Sequence, residues 1–157
     1  MNRFPRLVLT TLLCAVAATA AHADVHPVLG RALCLAAAQD SALGPQVEVL
    51  LDRGVLDYAD VPQVLNLPCE AGRNLMQTIV SGLHAENLEY VVIDLGLDPD
   101  APLLEMAGER LTLQQFLQHS VVAGEPAVQR FARDYLRDFR DAEFNPNLVV
   151  SALMPHR

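Results

Sequence analysis

The chain has 157 residues, 52% of them apolar, and carries 19 acidic against 11 basic side chains, all of them arginine, for a net charge of −8. Such a balance repels phosphate backbones and anionic lipid, so nucleic acid is excluded as an expected partner. The length suits one domain burying roughly two-thirds of its unfolded surface, and no Ser/Gly/Pro linker divides it.

Residues 1–23 read as an address. Arg3 and Arg6 make a positive n-region, residues 7–20 an apolar h-region, and Ala21-His22-Ala23 an A-x-A cleavage site before Asp24. The apolar run is shorter than the ~20 residues a membrane-spanning helix needs. A cleaved signal peptide is therefore expected, with Cys14 as filler of its h-region. Its loss leaves a single helical-repeat domain over residues 24–157, with 19 acidic against 9 basic side chains and a charge of −10. No later segment is long and apolar enough to insert in a membrane, and the expected location is periplasmic or secreted. Cys34 and Cys69 would then meet an oxidising compartment, where a disulfide is expected. Two buried free thiols are the alternative, whereas a metal site lacks a second ligand pair.

Pro27 suits a first helical turn, and Val28, Ala32, Leu35 and Ala36 give the stripe of a helix reaching about Gln39. After a loop at 40–44, Pro45 opens a second helix through Val47, Leu50 and Leu51, stopped at Gly54. Residues 55–60 are expected as a protruding loop, and 61–65 as a further short helical piece. In the stretch 72–102, Asn74 and Gln77 form a capping box for a helix with Leu75, Met76, Ile79, Val80 and Leu83 on one face. His84, Ala85 and Glu86 break it. Asn87 is expected to cap the next helix, whose stripe is Leu88, Val91, Val92 and Leu95, ending at Gly96. Residues 102–107 are expected as one helical turn. Thr112 and Gln115 then form a second capping box, with Leu111 stapled to Phe116, for a helix over 113–122. Pro126 starts the last helix, apolar at Val128, Phe131, Ala132, Tyr135, Leu136 and Phe139, with arginines and aspartates opposite. Residues 144–148 supply a closing turn, and Val149, Val150 and Leu153 a cap on the last hairpin.

Gly72-Arg73, Leu88-Glu89, Val92-Ile93 and Gly96-Leu97-Asp98-Pro99 resemble the unit of an ankyrin repeat, although Asn74-Leu75-Met76-Gln77 stands where that family has T-P-L-H. The segments ALCLAAAQ and VEVLLDRG look like a second such unit. The resemblance implies an all-α fold, a short solenoid of about three antiparallel helix hairpins. It also implies a protein partner, met by loop tips carrying Asp57, Tyr58, Asp60, Asp98 and Asp100.

Motifs for catalysis are weak. His26, His84, His119 and His156 stand apart with no metal spacing, and no serine sits in G-x-S-x-G. Asp98, Asp100 and Glu109 have calcium-loop spacing, but Pro102 replaces a ligand and Leu103 the required glycine. No cofactor, metal or catalytic residue is expected. The leading reading is an exported non-enzymatic interaction module, an adaptor, inhibitor or immunity-type protein. A stress-protective holdase and a hydrolase with an assembled site are the alternatives.

Overall fold

The computed structural model describes residues 27–140, with no side-chain detail for 138–140. The expected signal peptide, His26, Phe139's side chain, the 144–148 turn, the Val149–Leu153 cap and His156 lie outside the residues so described. Helix α1 (Pro27–Ala37) and helix α2 (Leu43–Asp52) form a first hairpin, and α3 (Val61–Leu65) follows. Helix α4 (Leu75–Ser81) pairs with α5 (Ala85–Glu89), which runs directly into a π-helical turn, Tyr90–Asp94. Strands β1 (Leu104–Met106) and β2 (Glu109–Leu111) precede α6 (Leu113–Ala123) and α7 (Pro126–Arg140).

Helix α1 packs on α2 and α4, α4 also on α5 and α7, α2 on the π turn, and α6 along α7. One continuous core results, with Leu33, Leu43, Leu75, Ile79, Leu88 and Phe116 almost wholly buried within it. Burying each such side chain contributes about 1.5–3 kcal/mol. Both expected capping boxes are present. Gln77 N–H donates to Asn74 Oδ1 at 2.8 Å and Asn74 N–H to Gln77 Oε1 at 2.8 Å; the Thr112–Gln115 pair does the same at 3.2 and 2.9 Å.

Several expectations are corrected. The fold is mostly helical and not all-α, because residues 104–111 form an antiparallel β-hairpin where a helical turn was expected at 102–107. Its two-residue turn, Ala107-Gly108, has φ of +53° and +84°, the left-handed pair that matches strand twist. Ala71-Gly72 repeats this conformation at +58° and +70°, ahead of the Pro68–Asn74 bridge partner that caps α4. Each helical hairpin after the first is thus entered through an Ala-Gly turn and a capping box. The two turns are tied side by side: Asn66 Nδ2 donates to Leu103 O at 2.7 Å, Glu105 N to Asn66 Oδ1 at 2.7 Å, and Asn74 Nδ2 to Glu105 O at 2.6 Å.

Leu83 does not extend the apolar face of α4. It is 40% exposed at φ +60°, while Leu83 N–H reaches Val80 O and His84 N–H reaches Ile79 O. That is the double bond of a Schellman stop, with leucine in the place glycine usually takes. Residues 57–60 are not an open loop, because Asp57 and Asp60 close a capping box on a single 3₁₀ turn leading into α3. Asn87 does not cap its own helix. It lies inside the first turn of α5, wholly buried, and its side chain reaches back to the α1–α2 connection.

Candidate partner-binding surface

Gly44, in the first turn of α2, is buried beneath the ring of Tyr90; a β-carbon there would stand 3.0 Å from Tyr90 Cδ2. The missing side chain is what lets the π turn lie against α2. Along α2, Glu48 follows Gly44 by one turn, and Asp94 follows Tyr90 by about one turn. The Tyr90 hydroxyl is pushed up to about 12, first by partial burial and then by the negative charges of Glu48 and Asp94, with Tyr58 also adjacent. Tyr58 itself is 63% exposed. Two tyrosines and two carboxylates therefore share one patch, built from α2, the 58–60 turn and the π turn.

The charge around it is one-sided: residues 40–100 hold eleven Asp and Glu against two arginines. A spectrophotometric titration should resolve one tyrosine ionising near pH 12, and Tyr90→Phe should remove that step. The sign for stability follows: with its folded pKa raised, Tyr90 supports the fold fully below pH ~10 and loses that support as pH rises towards 12. A titration in which every tyrosine ionises near 10 would contradict the packing against α2.

Of the expected tip residues, Asp57 and Asp60 are taken up in their turn, with Asp57 N–H donating to Asp60 Oδ2 at 2.9 Å and Ala59 N–H to Asp57 Oδ1 at 3.1 Å. Asp98 accepts from Asp100 N–H at 3.0 Å, and both aspartates are exposed. Among the described residues no hydrogen bond or ion pair joins the 57–60 turn to the 98–100 turn. Tyr90, Glu48 and Asp94 were not singled out by the sequence. Their signal was a tyrosine and an aspartate one turn apart on the polar side of an apolar stripe.

Among the described residues, two larger clefts lie elsewhere. One of about 550 Å³ runs between α1 and the 67–73 segment, lined by Gly30, Cys34, Leu67 and Cys69. Across it Cys34 and Cys69 stand at disulfide distance, with sulfurs 1.96 Å and Cα atoms 5.5 Å apart. The other, shallower, lies beside α4, α6 and α7, with Ser81, His119, Ser120 and Glu125 at its edge. Ser81 Oγ accepts from Arg73 Nη1 at 2.8 Å and Ser120 Oγ donates to Phe116 O at 3.0 Å, so both hydroxyls are engaged away from His119. Among the described residues no group of three or more His, Cys, Asp or Glu is placed to hold a metal ion, and no helix is long and apolar enough to cross a membrane. No family model matches the sequence, and no curated protein or solved structure matches it.

Proposed function

We propose that this is an exported protein–protein interaction module of ankyrin-like helical hairpins, freed from a signal peptide at residues 1–23. The observation that carries the reading is the patch of Tyr58, which is exposed, and the half-buried Tyr90, with Glu48 and Asp94 near enough to act on the Tyr90 hydroxyl. Aromatic residues are the side chains most enriched at binding hot spots, because they bury large area at small entropic cost. Support for the repeat architecture comes from the first two hairpins, where α1 lies on α4 and α2 on the π turn; the third hairpin meets α4 through α7. The acidic setting favours a partner with a basic docking segment, steered by charge and weakened by salt.

A photo-cross-linking residue at position 58 tests this in the producing cell. The expected result is a discrete protein adduct that disappears in a Glu48→Arg/Asp94→Arg background. The same cross-linker at Val122, 81% exposed on α6, serves as the control. Adducts indistinguishable between positions 58 and 122 would remove the reading.

A further inference from the structure

Helix α1 carries a glycine at position 30, one turn from its start, where glycine weakens a helix relative to alanine. Nothing in the fold demands it. A β-carbon at Gly30 would meet Leu67 Cδ2 at 3.8 Å, an ordinary contact. What its bare backbone does is leave open the cleft that it lines with Cys34, Leu35, Leu67, Pro68 and Cys69. The cleft is largely apolar, its volume of about 550 Å³ is in the range of small-ligand sites, and Leu35 at its edge is 53% exposed. Its polar groups are Arg31, Glu70, Arg73 and Thr78.

The arginines stand out against the charge of the chain. Between residues 27 and 109 there are thirteen Asp and Glu and only Arg31, Arg53 and Arg73, and two of those three arginines line this one cleft. Arg31 makes no hydrogen bond or ion pair among the described residues. Arg73 lines both clefts and gives Nη1 to Ser81 Oγ at the edge of the second, which leaves its other N–H groups to reach the first. Thr78 Oγ1 is engaged with Asn74 O at 2.9 Å.

We infer that this cleft binds a small aliphatic carboxylate, its chain laid along α1 over Gly30 and its head group drawn to the guanidinium groups of Arg31 and Arg73. Guanidinium suits a carboxylate because its planar fork can donate two parallel hydrogen bonds. The single acid at the rim, Glu70, reduces the attraction without cancelling it. The Cys34–Cys69 pair, which joins α1 to the 67–73 segment, also lines the cleft. This site is separate from the Tyr58–Tyr90 patch and does not depend on the interaction reading.

Calorimetric titration of the purified protein with sodium dodecanoate, below its micellar concentration, tests the inference. One site of micromolar affinity is expected, with decanoate weaker by up to about fourfold for each methylene lost. Dodecylamine should bind at least tenfold more weakly than dodecanoate. Gly30→Leu should lose at least tenfold in affinity while its melting temperature holds or rises, since the helix gains a better former. Arg31→Glu should weaken binding and Glu70→Gln should tighten it. The inference is overturned by a folded Gly30→Leu variant that binds dodecanoate as the parent does, by equal binding of the amine and the carboxylate, or by no binding up to about 1 mM.

Discussion

Replacing Asn87 with leucine should lower the stability by about 3–5 kcal/mol, read from urea unfolding followed by circular dichroism. The side chain is fully buried and accepts from Leu43 N–H at 3.1 Å. Its amide donates to Gln39 O at 2.8 Å, with Ala36 O and Ala37 O within 3.4 Å. One amide thereby satisfies the last carbonyls of α1 and the first amide of α2, groups that helix ends leave without intrahelical partners. A leucine of similar size strands Leu43 N–H and Ala37 O, while Ala36 O and Gln39 O keep Gln39 N–H and Ala42 N–H as donors, and each buried orphan costs about 1–3 kcal/mol. Because α5 is held to the first hairpin by this residue, cooperativity between the hairpins should fall with it. A loss below about 1 kcal/mol would show that water or the exposed loop backbone can take over the bonds.

Asn87→Asp separates shape from hydrogen bonding. The carboxylate keeps the acceptor for Leu43 N–H but turns a second oxygen toward the carbonyls of α1. Burial and those oxygens raise its folded pKa above the unfolded value of ~3.9. The variant should therefore be most stable below pH ~4, where the acid can donate, and should lose stability as pH rises through its folded pKa. Stability that instead climbs with pH in this range would refute the donor role.

Reduction of the Cys34–Cys69 link is the second large effect. The cysteines are 35 positions apart, and closing a loop of that length contributes about 3–4 kcal/mol by restricting the unfolded chain. The melting temperature of the reduced protein, or of a Cys34→Ala/Cys69→Ala variant, should fall by roughly 10–20 °C. The link joins the middle of α1 to the segment leading into α4, so its loss should loosen the interface of the first two hairpins before the α6–α7 pair. Alkylation followed by mass measurement gives the direct check. Two modified thiols in the unreduced protein, or a melting temperature indifferent to reductant, would leave the fold to stand on packing alone.

The two capping boxes were legible because they are local: Asn74 with Gln77, and Thr112 with Gln115, need only a three-residue spacing and an apolar stripe behind them. The stripes of α4, α5 and α7 were legible for the same reason. Asn87 was misread because a cap and a buried bridge look alike in one dimension, and its partners lie more than 40 positions upstream. Leu83 was misread because its spacing continues the stripe of α4 while its backbone has already turned left-handed. The 104–111 hairpin was missed because its signal, two short alternating runs around Ala-Gly, is weaker than a helical period and rests on alanine accepting a positive φ. In the candidate surface Tyr58 was legible as an exposed aromatic on a turn, but its companion Tyr90 was not.

By itself the sequence determined most of the helices, the two capping boxes, the stripes of α5 and α7 and the acidic balance, since these follow from periods and neighbours a few residues apart; on α1 the expected stripe missed, because Val28 and Leu35 are exposed and Leu33 and Ala37 are the buried pair. Only the tertiary structure decided which polar groups the core accepts, which glycines make room and which side chains share a surface. Asn87 beneath α1, Gly44 beneath Tyr90 and Gly30 in an open cleft are all set by what arrives from elsewhere in the chain. Burial and proximity are properties of the packed whole, and spacing along the chain does not encode them.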